Sequence, residues 1–109
     1  MLMPKQCEEL NNYAYNFIEA LHNTTLDKSS RADLYLWAAY NRYKGFIEGL
    51  LGKDYSFPII PTSLISVNIM TQWIVGLTKA IKKDDTEQID ACVKAIVQTM
   101  EGNYKNVQN

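Results

Sequence analysis

The stretch SRADLYLWAAYNRYKGFIEGLL, residues 30–51, decides the fold. Within it Tyr35, Leu36, Ala39, Tyr40, Tyr43, Phe46, Ile47, Leu50 and Leu51 recur at spacings of three and four. That period places them on one broad apolar face of an α-helix. Asn41, Arg42, Lys44 and Glu48 fall opposite. Ser29 or Ser30 can cap the start, and Asp33 stands three residues after Ser30 at capping-box spacing. Gly52 lies where a helix stop favours a residue free to adopt positive φ. Two large residues break the pattern: Leu34 and Trp37 project toward the polar side, one turn apart.

Working toward the N-terminus, Pro4 suits an opening helical turn because its missing N–H would have no partner there. Cys7, Leu10, Ala14, Phe17, Ile18 and Leu21 continue an apolar stripe, and Asn23-Thr24-Thr25 ends it, which predicts a helix over 4–22. Toward the C-terminus, Pro58 and Pro61 make residues 52–61 an extended apolar loop. Thr62 or Ser63 then caps a third helix over 63–83, its wide apolar arc built from Ile65, Ile69, Met70, Trp73, Ile74, Leu77, Ala80 and Ile81. Lys79, Lys82 and Lys83 complement its negative end. Asp85 with Gln88 opens a fourth helix over 86–103, whose stripe is Ile89, Cys92, Val93, Ile96 and Met100, with Tyr104 and Val107 extending it.

No strand-period alternation of useful length interrupts these segments. The expectation is an all-α protein, a compact up-down four-helix bundle forming one domain over 1–109. In that arrangement the first and fourth helices run antiparallel. Cys7 and Cys92 are then about 15 Å apart along the bundle, from a rise of ~1.5 Å per residue, beyond disulfide reach. Both are expected to be reduced and buried, which with no secretory signal at the start points to the cytoplasm.

Composition excludes several functions. The chain has 109 residues, is 47% hydrophobic, and carries 11 basic against 12 acidic side chains, so one core forms and little net field attracts DNA, RNA or an anionic membrane. Residues 55–78 carry no charge, yet Pro58, Pro61, Ser63, Asn68 and Gln72 break the run, which argues against a membrane span. Tyr40-Asn41-Arg42-Tyr43-Lys44 interleaves aromatics and cations as single-strand binders do, but both tyrosines fall on the core stripe. A nucleic-acid-binding regulator is thus the weaker alternative.

Catalytic and metal chemistry find no constellation. Glu19 and His22 share the E-x-x-H spacing of di-iron bundles, but His22 is the single histidine and Leu21 and Ile18 mark the inward face. His22 lies at the far end of its helix from Cys7, and the glycines form no phosphate cradle. No cofactor, metal or enzymatic activity is expected.

What remains is surface. Leu34 and Trp37 stand among polar neighbours such as Asn41, and Tyr55, Phe57, Ile59 and Ile60 add apolar area on the loop. Large aromatic and apolar anchors commonly dominate interfaces. The loop can equally fold back and cover Leu34 and Trp37 itself. The functional expectation is a non-enzymatic protein-binding protein of inhibitor, immunity or adaptor type, acting by steric occlusion through Leu34, Trp37, Asn41, Tyr55, Phe57 and Ile59. A homodimer burying the same patch is the related alternative. Abundant Asn, Lys, Ile and Tyr suit an AT-rich genome, as in small bacterial or phage-encoded proteins, by association only.

Overall fold

The computed structural model describes residues 2–26, 29–52, 55–59 and 66–108, with side chains described as far as Glu101. Four helices are present: α1 (Pro4–Leu26), α2 (Ser30–Leu51), α3 (Val67–Lys82) and α4 (Thr86–Gln108). They pack as an all-α four-helix bundle.

The ends of the helices depart from the sequence reading for local reasons. Pro4 opens α1 as expected, but α1 runs on to Leu26 rather than stopping at residue 22. The Thr24 and Thr25 hydroxyls donate to the carbonyls of Leu21 and His22, both at 2.7 Å, so these residues satisfy the last turn instead of breaking it. At α2 the cap is Ser29, whose Oγ accepts from the Ala32 N–H at 3.4 Å; the Ser30–Asp33 box is not used. Gly52 closes α2 at φ 100°, a backbone state that favours glycine. Helix α3 starts at Val67, not residue 63, with Ser66 extended at its N-cap. The alternative caps Thr62 and Ser63 lie outside the described residues. Helix α4 continues past residue 103 to Gln108, and the Tyr104 and Val107 side chains lie outside the described residues.

Between α3 and α4 the turn at 83–85 is a Schellman stop. Asp84 takes φ 55°, its N–H reaches the Ile81 carbonyl at 3.1 Å, and the Asp85 N–H reaches Ala80 at 3.0 Å. Asp85 then accepts from the Gln88 N–H at 3.3 Å, so one acidic residue serves the end of α3 and the start of α4.

Each hairpin, α1–α2 and α3–α4, is an antiparallel pair, and α1 also packs on α3. Near the end of α1, His22 Nε2 lies 3.4 Å from Thr71 Oγ1 in the second turn of α3. Helix α3 therefore runs antiparallel to α1, and α4 runs parallel to it. This corrects the expectation that α1 and α4 oppose each other. The cause is the connection after α2, which travels back along the bundle. The Tyr55 N–H bonds the Gly52 carbonyl at 3.2 Å at the end of α2. Pro58 then meets the hydroxyl of Tyr40, which is twelve helical residues or about 18 Å above Gly52.

The cysteines stay apart for this new reason. A β-carbon on Gly76 would lie 3.3 Å from Cys92 Sγ. Counting back from the Thr71–His22 contact, Cys92 lies level with Phe17, ten residues or about 15 Å along the axis from Cys7. Both are free thiols, Cys92 buried and Cys7 half-buried rather than buried as expected.

The core is aromatic at its centre. Phe17 lies 5.4 Å from the ring of Tyr40 and 5.2 Å from that of Tyr43, and Tyr43 lies 6.4 Å from Phe57. Leu10, Leu21, Leu36, Ile47, Met70, Ile74, Leu77, Ile96 and Met100 close around them. Two residues expected on the core stripes are outside: Tyr35 is 53% exposed and Ile69 is also exposed. The inward arc of α2, centred on Leu36 and Tyr43, is narrower than the sequence spacing implied. Tyr35 sits at its edge.

Candidate functional site

The six residues singled out from the sequence separate into two regions. On the outer face of α2, Leu34 is 69% exposed, Asn41 is exposed and Trp37 is half-buried. Leu34 thus stands exposed, and the described strap residues 55–59 lie instead along α2 and α4. Phe57 is the correction: at 5% exposure it belongs to the core and offers no surface to a partner. Its ring packs toward Tyr43, because the apolar side chain finds dry partners where α2 and α4 face each other. Tyr55 is half-buried and donates its hydroxyl to Asp90 on α4. Ile59 remains 78% exposed. Ile60 lies outside the described residues.

Around Leu34 the structure adds residues that sequence reading missed. Leu26, 87% exposed, projects from the last turn of α1, and Tyr35 stands beside Leu34. Asn23, Leu26, Arg31, Ala32 and Tyr35 line a groove of about 320 Å³ at this tip of the α1–α2 hairpin. Leu26 lies beyond the Asn23-Thr24-Thr25 stop that the sequence suggests for the first helix. Its position off the Leu10–Phe17–Leu21 stripe was the available signal, since a helix continued through residue 26 must turn it outward.

The second region is the strap, residues 55–59, lying between α2 and α4. Glu48 is its hinge pin. One carboxylate oxygen accepts the Phe57 N–H at 2.7 Å, and the other takes Lys44 Nζ at 3.1 Å. The Tyr40 hydroxyl donates to the Pro58 carbonyl. Burial, then the nearby Glu48 charge, pushes the Tyr40 hydroxyl far above the usual phenol range, so it remains a donor. Burial does the same to Tyr43, whose hydroxyl has no hydrogen-bond partner among the described residues. Burial also raises the Cys92 thiol, which disfavours the reactive thiolate.

This geometry bears on the rival chemistries. Tyr40 and Tyr43 are 1% exposed each, so neither ring can stack on a nucleic-acid base. Glu19 and His22 are both exposed, and among the described residues no three His, Cys, Asp or Glu side chains gather where a metal ion could sit. Among the described residues no helix is long and apolar enough to cross a membrane. The chain was set beside protein-family models, curated proteins and solved structures. None of the three finds a match.

Proposed function

We propose that the chain is a non-catalytic protein-binding module that occludes a partner's surface with the tip of its α1–α2 hairpin. The supporting observation is that Leu26, Leu34 and Tyr35, all large and exposed, lie in the turns next to the α1–α2 connection, with Leu26 and Tyr35 lining one groove of about 320 Å³. Single exposed apolar residues are ordinary; several at one place mark an interaction surface. Arg31 and Asn23 supply the polar rim that fixes orientation. Trp37 and Asn41 flank the cluster on the next turns of α2, and the rigid bundle behind it keeps the ordering cost of binding low.

A photo-crosslinking amino acid placed at Leu34, with the same group at exposed Lys79 on α3 as control, tests this reading in extract from cells that express the chain. The expected result is one discrete heavier adduct from position 34 and none from position 79. Equal adducts from both positions, or none from either, would refute it. An adduct of twice the chain mass identifies the partner as a second copy.

A further inference from the structure

We infer that the seam between α2 and α4 is a groove for an extended aromatic-x-aromatic-Pro segment, filled in cis by residues 55–59 and open to a partner's segment of the same chemistry. This is independent of the hairpin tip. The bundle has close backbone packing at α1–α2, α1–α3 and α3–α4. Helices α2 and α4 instead meet through side chains, as where Tyr40 Oη lies 3.7 Å from Met100 Sδ. The strap fills the gap and bonds to both walls.

After the Tyr55 N–H bonds back to the Gly52 carbonyl at 3.2 Å, the remaining bonds of the strap run to side chains of the flanking helices. Glu48 takes the Phe57 N–H and Tyr40 reaches the Pro58 carbonyl, so two side chains of α2 read ligand backbone. Phe57 fills the apolar floor over Tyr43, and two residues earlier Tyr55 offers its hydroxyl to Asp90. Residues i and i+2 of an extended chain point the same way, so this spacing defines the motif the seam accepts. Proline before the exposed Ile59 keeps the segment extended without ladder bonds.

The cis occupant fits incompletely. Shallow surface depressions flank Tyr55 and Ser56, one beside Glu48 and Gly49 and one beside Asp90, Val93 and Val97. The Tyr43 hydroxyl, fully buried in this seam, has no hydrogen-bond partner among the described residues. A seam that holds an unsatisfied buried polar atom beneath its occupant favours exchange for a segment that satisfies it.

Two measurements test the inference. In native-state hydrogen exchange on the wild-type chain, the Phe57 amide is expected to exchange at least about a hundredfold faster than the amides of Ile47 and Ile96, through an opening that leaves the helices folded. Exchange of Phe57 only with those core amides overturns the inference, because the strap then never leaves alone. In the second, the peptide acetyl-KDYSFPII-amide, copying residues 53–60, is titrated into the Phe57→Ala chain and followed by amide chemical shifts. Saturable shifts at Tyr40, Glu48 and Asp90 are expected, weakened about tenfold or more when the peptide carries alanine for its phenylalanine. A folded variant that shows no saturable shift overturns the inference. Should Phe57→Ala fail to fold, the wild-type exchange result alone decides.

Discussion

The Glu48 carboxylate holds the Phe57 amide at 2.7 Å from nine residues away, across the end of α2. Without it a part-buried N–H would lack a partner, which costs about 1–3 kcal/mol. Glu48→Ala should therefore destabilise the chain by that amount in urea denaturation, and Glu48→Gln, which keeps an acceptor oxygen, by clearly less. The Lys44 pair, partly buried, adds little, since an i,i+4 helix ion pair contributes roughly 0.3–0.5 kcal/mol. Equal losses in the two variants would mean that charge, not the amide bond, is what Glu48 contributes.

Tyr40 and Tyr43 make opposite predictions from the same chemistry. The Tyr40 hydroxyl has acceptors in Pro58 and Met100, whereas the Tyr43 hydroxyl has none among the described residues. Tyr40→Phe should cost about 1 kcal/mol, and Tyr43→Phe should be neutral or stabilise by up to about 1 kcal/mol. Chemical denaturation of the two variants side by side gives the signs. A loss at Tyr43 equal to that at Tyr40 would reveal a partner the hydroxyl does have.

Most of this core was legible because it obeys one period. Leu10, Phe17, Leu36, Tyr43, Ile74 and Ile96 sit where three- and four-residue spacing puts them, and all are buried. Helix ends were less legible, because threonines such as Thr24 and Thr25 read equally as turn formers and as side chains that satisfy terminal carbonyls. The path after α2 was hidden further. Nothing local tells whether Phe57 faces solvent or core; that is settled by the width of the gap between two helices distant in sequence. The candidate surface depends on both: a first helix that runs on to residue 26 adds Leu26, and a strap turned inward removes Phe57.

Alkaline pH should expose the buried phenols. Burial raises the folded-state pKa of Tyr43 above the unfolded value near 10. A raised folded pKa gives stability that is complete below pH ~10 and declines as pH rises further, because the unfolded chain alone releases the proton. The decline is about 1.4 kcal/mol per pH unit for such a group. Urea midpoints measured between about pH 9 and pH 11 should fall for the wild type, and less steeply for Tyr43→Phe. Identical slopes would show that Tyr43 ionises as freely in the fold as out of it.

Two glycines inside helices distinguish idle space from close packing. A β-carbon on Gly45 would meet nothing within 4 Å, while one on Gly76 would lie 3.3 Å from Cys92 Sγ. Alanine gains about 0.8–1.0 kcal/mol over glycine in a helix interior. Gly45→Ala should realise most of that, raising Tm by about 4–8 °C per kcal/mol for a domain near this size. Gly76→Ala should gain less or lose, because the Cys92 side chain must give by a few tenths of an ångström. Equal gains would show that α3 and α4 have slack at that contact.

Leu34 and Phe57 are both large apolar residues off the helical core stripes of the sequence, and the fold sends them to opposite fates. Phe57→Ala removes a buried ring and should cost about 3–5 kcal/mol. Leu34→Ala touches a side chain already in water and should change stability by no more than about 0.5 kcal/mol. If the hairpin tip binds protein, Leu34→Ala should instead weaken the complex, by about 2 kcal/mol or more for a true anchor. Trp37, half-buried, should move both readouts: some loss of stability, weaker binding, and an unchanged far-UV circular dichroism spectrum. The decisive comparison is thermal denaturation of each variant against the yield of the position-34 crosslinked adduct. A Leu34→Ala chain that unfolds early would place Leu34 in the core and remove the tip as a binding surface. One that keeps both its stability and its partner would leave the exposed leucine without a role in recognition.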